Sequence, residues 1–398
     1  MTQEITTEKK TFQTSGVAII SFAHAVHDSY TAFLSTLLPL LIERLSITNT
    51  FAGFLSIIMR LPSLFQPVIG HLADRKNLRL LIVLTPAITG AAMSLLGVAN
   101  SQGFVIFLLV IAGASSAALH AIGPVVGSTF SGDRLGKGMS FWMVGGELGR
   151  TLGPLVVVFF IGYLTIEKLP WAMLAGVLAS IFLFFGLSKV TTQSVEVQEK
   201  VDWLAALRNM RGFMLPLVGM MVTRAMLIAT FNTFLTTYMT AEGSSLSLAG
   251  LSLSILELAG VVGAFLSGVL SDKIGRIRML VISFIFTPIF MLLFVQSTGV
   301  IKILLLILVG FFGLSVTPVM MAIVIESYPE QKSFANGMYM MVNFIISAVA
   351  VLLVGFLSDL VTLRFAFLIS TAILPFGLFF IWLLRREKDK GVEDAPSV

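Results

Sequence analysis

The chain has 398 residues, of which 57% are hydrophobic and only 12% are charged, and its mean hydropathy is +0.97. Soluble domains carry about twice that charged fraction, so the composition excludes a water-soluble globular protein. The formal net charge of +5 does not indicate nucleic-acid binding, because the basic residues lie in short segments between apolar runs, and the lack of cysteine excludes disulfides and thiolate metal sites.

Apolar runs of membrane-spanning length recur along the whole chain. A bilayer core of about 30 Å needs roughly 20 apolar residues per helix. The pattern predicts twelve spans, at residues 16–41, 50–72, 79–99, 103–127, 138–163, 171–189, 213–240, 248–270, 279–297, 302–325, 335–357 and 365–384. The polar stretch before the first run has no signal-peptide pattern, so we expect that run to remain as a membrane span. The sequence therefore predicts an all-α membrane protein.

A polar stretch between spans six and seven divides these spans into two halves. The predicted organisation is a cytoplasmic tail over 1–15, a six-helix bundle over 16–190, a cytoplasmic linker over 191–212, a second six-helix bundle over 213–384 and a cytoplasmic tail over 385–398. Most lysines and arginines outside the spans fall on the side that holds the linker and both tails. Because basic residues stay on the cytoplasmic side, both termini are predicted to be cytoplasmic.

The two halves repeat a short motif at the cytoplasmic end of their second span. The first copy contains Gly70, Asp74 and Arg75, and the second contains Gly268, Asp272 and Lys273. A glycine lets helices approach closely, an aspartate caps a helix or pairs with a nearby arginine, and basic residues face anionic lipid. The pattern resembles the loop signature of the major facilitator superfamily. That resemblance implies twelve helices in two pseudo-symmetric six-helix bundles around a central cavity.

Span five contains a second motif, formed by Gly145, Gly149, Gly153 and Pro154. The three glycines lie on one stripe of the helix, which suits close packing against another span. The motif is similar to the antiporter signature of drug/proton exporters, although the second glycine pair of that signature is missing. The arginine that many proton-coupled exporters carry in span four is missing as well.

Three segments resemble the fosmidomycin-resistance branch of these exporters: His24 through Asp28 to residues 37–41, residues 66–70, and residues 113–116 through His120. The resemblance implies proton-coupled efflux of a small amphipathic or anionic drug-like compound. It also implies a monomer in the bacterial cytoplasmic membrane that needs no cofactor or metal. A proton-coupled importer of a small metabolite remains the alternative within transport.

Ionisable residues inside the spans carry the mechanistic information, since each costs about 2.5–3.5 kcal/mol at a helix centre. In span one, His24 and Asp28 are one helical turn apart on a polar stripe. A carboxylate and an imidazole are groups that a proton relay needs, so Asp28, helped by His24, is the predicted proton site. The structural alternative is that Asp28 only neutralises Arg60 or Arg224.

Glu147 and Arg150 are three residues apart in span five and can pair along the helix. In the superfamily, span five runs beside span eight, which implies a bridge from Arg150 to Glu257. The bridge either switches between access states or holds the bundles together statically. Glu147 and Glu257 are thus further candidates for proton coupling.

Arg60 and Arg224 are the remaining intramembrane cations, and they either neutralise carboxylates or receive an anionic substrate. The residues predicted to line the substrate cavity are His27, Thr31, His120, Asn232, Tyr339 and Asn343. No phosphate-binding loop, metal-binding pair or nucleophile motif stands out, and the carboxylates are scattered over three spans, so a membrane-embedded enzyme is disfavoured.

Overall fold

A computed structural model of the protein describes residues 11–132, 134–188, 203–327 and 332–393. The α-helices are α1 Thr14–Thr31, α2 Phe33–Leu45, α3 Asn49–Arg60, α4 Gln66–Arg75, α5 Arg79–Leu95, α6 Gln102–Ser131, α7 Leu135–Tyr163, α8 Met173–Gly186, α9 Trp203–Ile228, α10 Leu235–Ala241, α11 Leu246–Ile274, α12 Arg276–Gln296, α13 Gly299–Leu314, α14 Val316–Ser327, α15 Lys332–Leu360, α16 Leu363–Ile373 and α17 Gly377–Glu393. Short 3-10 segments and one π-helical turn, Ala229–Thr233, connect some of them.

The prediction of an all-α membrane protein is confirmed. Every regular element in the described part of the chain is helical. Ten helical segments among those residues are long and apolar enough to cross a membrane. Large apolar side chains such as Phe185 and Phe265 remain more than half exposed, as a lipid-facing surface requires.

The first two predicted spans are each divided into shorter helices, which corrects their prediction as single runs. Span 16–41 is interrupted at Ala32, between α1 and α2. Span 50–72 is interrupted by the 3-10 segment Leu61–Phe65, where Pro62 lies at the start. Proline lacks an N–H donor and clashes with the preceding turn, so a hydrophobic run containing it need not form one straight helix.

Helical structure extends into two of the predicted polar segments. Helix α9 begins at Trp203, within the predicted linker 191–212, and α17 continues to Glu393, within the predicted tail 385–398. An established helix adds one hydrogen bond for each residue it fixes, so it extends past the apolar run that defines a span. Residues 191–202 of the linker, and residues 1–10 and 394–398 of the tails, lie outside the described residues.

Contacts divide the chain into two compact units. The N-terminal unit comprises Met1–Leu37 and Ile58–Glu196, and the C-terminal unit comprises Leu38–Ile57 and Val197–Val398. In the N-terminal unit, α1 lies along α7 and also contacts α5, α6 and α8. Helix α1 is therefore surrounded by helices, which explains how a span can carry His24, His27 and Asp28 without exposing them to lipid.

Candidate functional site

Glycines hold α7 directly against the backbone of α1. A Cβ atom added at any of the three stripe glycines would lie 2.1–2.4 Å from a carbonyl oxygen of α1. The pairs are Gly145 with Ser21, Gly149 with Ala25, and Gly153 with Ser29. Pro154 follows within the continuous helix α7. These contacts set the register between the two helices, so they decide which side chains of α7 meet His24 and Asp28.

Asp28 lies at the centre of a buried cluster, with 3% of its surface exposed. Its Oδ2 atom accepts a hydrogen bond from Arg150 Nη1 at 3.2 Å and lies 3.4 Å from His24 Nε2. Its Oδ1 atom lies 3.8 Å from His120 Nε2. The contact between Arg150 and Asp28 was not predicted from the sequence, whereas the pairing of Asp28 with Arg60 or Arg224 stays a prediction.

Arg150 joins two carboxylates. Besides its contact with Asp28, its Nη2 atom forms a salt bridge with Glu147, three residues earlier on α7. The side chains of Arg150 and Glu147 are 38% and 29% exposed, whereas that of Asp28 is 4% exposed. We call His24, Asp28, His120, Glu147 and Arg150 the Asp28 cluster. It runs from a partly exposed ion pair to a buried carboxylate.

Two imidazoles complete the cluster. His24 Nδ1 is 2.8 Å from the carbonyl oxygen of Trp142, and its ring stacks on that indole at a centroid distance of 3.9 Å. His120 Nδ1 is 2.9 Å from the carbonyl oxygen of Ser116, and the Nε2 atoms of the two imidazoles are 3.2 Å apart. Gly146 makes room for the His24 ring, since a Cβ there would lie 2.5 Å from it.

His27 and Thr31 lie on the same helix as Asp28. His27 is fully buried, and its ring makes an edge contact with His120 at a centroid distance of 5.9 Å. Thr31 donates its hydroxyl hydrogen to the backbone oxygen of Asp28 at 2.9 Å. Both were predicted to line a substrate cavity, and that role stays a prediction.

The C-terminal unit buries a different kind of charge. Arg224, 6% exposed, donates from Nε and Nη2 to the carbonyl oxygen of Gly313, both at 3.2 Å. Its Nη2 also donates to the Thr317 hydroxyl at 2.8 Å, and it interacts electrostatically with Tyr339. Among the described residues, no carboxylate is in contact with Arg224 in this unit. Its neighbours are neutral oxygens.

The other predicted site residues are distributed over both units. Asn232 lies in the π-helical turn, Asn343 is half-buried on α15, and Glu257 is buried on α11. Arg60 is exposed at the end of α3. A bridge from Arg150 to Glu257 would connect the two units, and it remains a prediction.

Only the second copy of the inner-loop motif has described side chains. Asp272 pairs with Arg276 at 2.5 Å, and Arg276 also pairs with Glu326 at 2.8 Å, while Lys273 is exposed. The expectation that Gly268 permits close helix approach is wrong for the described structure, because a Cβ there would meet no described atom within 4 Å. The side-chain contacts of Asp74 and Arg75, and those around Gly70, lie outside the described part.

Ligand atoms of His24, Asp28 and His120 lie within 4.8 Å of one another, close enough to share one cation. The sequence did not predict this grouping, because His120 is on another helix. Arg150 already contacts an Asp28 oxygen, so a divalent metal would place two further positive charges beside a guanidinium. The surroundings therefore suit a single proton better than a metal ion.

Comparison with known proteins identifies the family. The sequence model of the Major Facilitator Superfamily matches residues 20–268 and 217–397. The chain belongs to the major facilitator superfamily. It is therefore an integral membrane transporter, which agrees with the ten apolar helices of the described residues.

Individual relatives agree with that assignment. The chain is 24% identical over 390 residues to the fosmidomycin resistance protein of Escherichia coli (strain K12), with 93% of each chain covered. It is 23% identical over 385 residues to the uncharacterized MFS-type transporter YfnC of Bacillus subtilis (strain 168), covering 92% of this chain and 93% of that one. An inward-facing bacterial homologue of the human lysosomal transporter Spinster shares the fold, with a TM-score of 0.77, 14% identity, and coverage of 95% and 98% of the two chains.

Proposed function

We propose that this transporter is a proton-coupled antiporter of the bacterial cytoplasmic membrane that exports a small amphipathic or anionic compound. The observation that carries the proposal is the Asp28 cluster. A carboxylate that is almost completely buried within a helix bundle contacts two imidazoles and one arginine. Buried carboxylates in membrane helices are costly, so they are kept where they serve ion or proton movement.

Coupling requires that the cluster change its contacts between access states. Asp28 shares Arg150 with Glu147, so a shift of α7 would change how the arginine divides its contacts between the two carboxylates. Such a redistribution would alter the proton affinity of the cluster, since an opposite charge favours the ionised carboxylate. A bridge from Arg150 to Glu257 is the corresponding predicted contact of the other state.

Two observations favour export over import: the name of a relative and the glycine motif of span five. A relative in Escherichia coli that matches 93% of both chains is named a fosmidomycin resistance protein, and a membrane transporter confers resistance to a compound by exporting it. The glycine motif of span five, which resembles that of drug/proton exporters, lies beside the cluster and packs α7 on α1. We infer the same direction for this chain, with both termini on the cytoplasmic side and a monomer as the working unit.

The direct test is proton movement in everted membrane vesicles with an acidic interior. A fluorescent pH indicator would report proton release while phosphonates, organic anions and lipophilic cations are added one at a time. The intact protein would be compared with Asp28→Asn, which has nearly the same shape but cannot ionise, and with Asp272→Asn, which alters a carboxylate of the inner-loop motif.

An active compound should release protons through the intact protein and through Asp272→Asn, but not through Asp28→Asn. If Asp28→Asn releases protons as well as the intact protein, Asp28 is not the coupling group, and Glu147 and Glu257 become the residues to test. If no compound releases protons but one enters right-side-out vesicles together with protons, the protein is an importer.

A further inference from the structure

Hydrogen-bond partners fix where His24 and His120 each carry a ring hydrogen. The Nδ1 atom of His24 lies 2.8 Å from the carbonyl oxygen of Trp142, and the Nδ1 atom of His120 lies 2.9 Å from that of Ser116. A carbonyl oxygen only accepts, so both Nδ1 atoms must be donors. In a neutral imidazole the other nitrogen, Nε2, is then an acceptor with no hydrogen.

These two Nε2 atoms point at each other. They are 3.2 Å apart, and the Asp28 carboxylate lies 3.4 Å from one and 3.8 Å from the other. With both rings neutral, two nitrogen lone pairs and a carboxylate would meet in a part-buried space without a hydrogen between them. The Oδ1 atom of Asp28 also has no hydrogen-bond partner among the described residues. Such a meeting of acceptors is destabilising at low dielectric.

We propose that His24 and His120 share one proton between their Nε2 atoms, and that Asp28 is the fixed counter-ion of this pair. The added proton turns the repulsive contact at 3.2 Å into an N–H···N hydrogen bond and places an imidazolium beside the carboxylate. This deepens the proposed function, on which its role in transport depends. The coupling proton then resides on the imidazole pair, while the carboxylate stays ionised.

The charges around the pair agree with one proton. Asp28 and Glu147 together carry two negative charges and Arg150 carries one positive charge, so one added proton neutralises this group. The other ionisable side chain facing the pair is His27, on α1. Helix α8 contains no ionisable residue, and the only charged one in α5 is Arg79, which donates to the carbonyl oxygen of Phe184.

Exposure gives the two imidazoles different roles. The side chain of His120 is 33% exposed, whereas those of His24 and Asp28 are 5% and 4% exposed. A proton from water therefore reaches the Nε2 lone pair of His120 first and passes along the hydrogen bond to His24. When the proton is released, it passes from His120 to water, and the Nε2 atom of His120 regains its lone pair.

One neutral arrangement competes with this assignment. The Ser116 hydroxyl lies 3.3 Å from His120 Nδ1, so it could donate to that nitrogen while His120 carries its hydrogen on Nε2. The Nδ1 lone pair would then face the Ser116 carbonyl oxygen at 2.9 Å, which is the shorter contact. The geometry therefore favours a hydrogen on Nδ1.

Nitrogen NMR of the full-length protein in lipid bilayers tests the proposal directly. The chain has only four histidines, so ring-labelled 15N histidine gives few signals. The variants His27→Gln and His71→Gln each remove one histidine outside the pair, so the signals that remain can be assigned to His24 and His120. Spectra recorded over a series of pH values should show a coupling across the hydrogen bond between two Nε2 atoms, together with a protonated ring.

Matched variants sharpen the result. His120→Gln should abolish the coupling, and Ser116→Ala should leave it unchanged. Bare Nε2 atoms on both rings at every pH would overturn the proposal. A His120 that stays neutral with its hydrogen on Nε2, and that changes with Ser116→Ala, would also overturn it. A signal that forms only after zinc is added would assign the cluster to a metal ion instead.

The vesicle assay separates this inference from the proposed function. If the shared proton is seen by NMR but no compound releases protons in vesicles, proton antiport fails and the shared proton stands as a structural feature. If a compound releases protons while the NMR spectra show no shared proton, antiport stands and the imidazole pair is excluded as the proton carrier. If both hold, His120→Gln should reduce compound-driven proton release at least about tenfold, as expected for a relay group.

Discussion

Asp28 in the N-terminal unit and Arg224 in the C-terminal unit are buried among opposite kinds of partner. In the N-terminal unit, the buried charge is the Asp28 carboxylate, which contacts imidazoles and a guanidinium that also binds Glu147. In the C-terminal unit, Arg224 is buried against the carbonyl oxygen of Gly313 and the hydroxyl of Thr317. The Asp28 cluster thus combines ionisable groups of both signs, whereas Arg224 is a permanent cation paired with neutral acceptors.

This difference separates two tasks that a transporter must perform. Imidazoles and carboxylates change their charge, so the Asp28 cluster is suited to binding and releasing protons. Arginine stays protonated under all physiological conditions, so Arg224 cannot carry a proton, but it can attract an anion or hold helices together. We therefore expect changes in the N-terminal unit to affect coupling, and changes at Arg224 to affect affinity.

The largest expected effect comes from the packing that builds the N-terminal site. Gly149→Ala should destabilise the protein by about 3 kcal/mol, because the new Cβ would meet the carbonyl oxygen of Ala25 at 2.3 Å and only backbone movement can relieve the overlap. The free energy of unfolding in mixed detergent micelles, followed by tryptophan fluorescence, measures this.

Gly268→Ala is the matched control in the C-terminal unit. It lies within α11, where a Cβ would meet no described atom within 4 Å. Alanine favours helix over glycine by roughly 0.5–1 kcal/mol, so Gly268→Ala should be neutral or slightly stabilising. Equal destabilisation by both changes would contradict the role assigned to the glycine stripe.

Removal of the Arg150 guanidinium, which contacts both Asp28 and Glu147, should have the next largest effect. Arg150→Gln leaves two carboxylates without their guanidinium and should destabilise by about 2 kcal/mol, below the cost of breaking a fully buried pair because Arg150 is partly exposed. In a double-mutant cycle with Asp28→Asn, the coupling should be about 1–2 kcal/mol. Strictly additive effects would show that the contact between Arg150 and Asp28 contributes little to stability.

Arg224 offers the test of affinity. If it attracts an anionic compound, Arg224→Gln should raise the half-saturating concentration of that compound about tenfold, which corresponds to the loss of about 1.4 kcal/mol. The proton release at saturation should remain. Thr317→Val, which removes one hydrogen-bond partner but keeps the charge, is the control. An Arg224→Gln variant that loses proton release at saturation would instead place Arg224 in coupling.

The smallest expected effect is at a helix cap outside both buried charges. Asp359 accepts from the N–H groups of Asn49 and Thr50, each at 2.8 Å, at the start of α3. Asparagine keeps one acceptor oxygen, so Asp359→Asn should cost about 0.5–1 kcal/mol, as for other helix caps. The unfolding assay measures this loss of stability. Thr362→Val, which removes another capping side chain, shows how much the complete loss of a helix cap costs.

Local pairs in the site could be predicted, and contacts between helices could not. His24 with Asp28 and Glu147 with Arg150 are one turn apart on their own helices, and helical periodicity alone places each pair together. Arg150 with Asp28 and His24 with His120 join residues 122 and 96 positions apart. Helical periodicity therefore did not predict the contact of Arg150 with Asp28, and it placed His120 in a predicted cavity rather than in the cluster.

By itself, the sequence determined that the chain lies in lipid, that its fold is all-α and which residues share a helix face. Apolar runs of about 20 residues can satisfy their backbone hydrogen bonds in lipid only as helices. It also marked the glycine stripe and the costly charges. Only the tertiary structure decided which carbonyl oxygens of α1 the glycines of α7 contact. That register depends on the shapes of two helix surfaces together, and it brings Asp28, His24, His120 and Arg150 into one cluster.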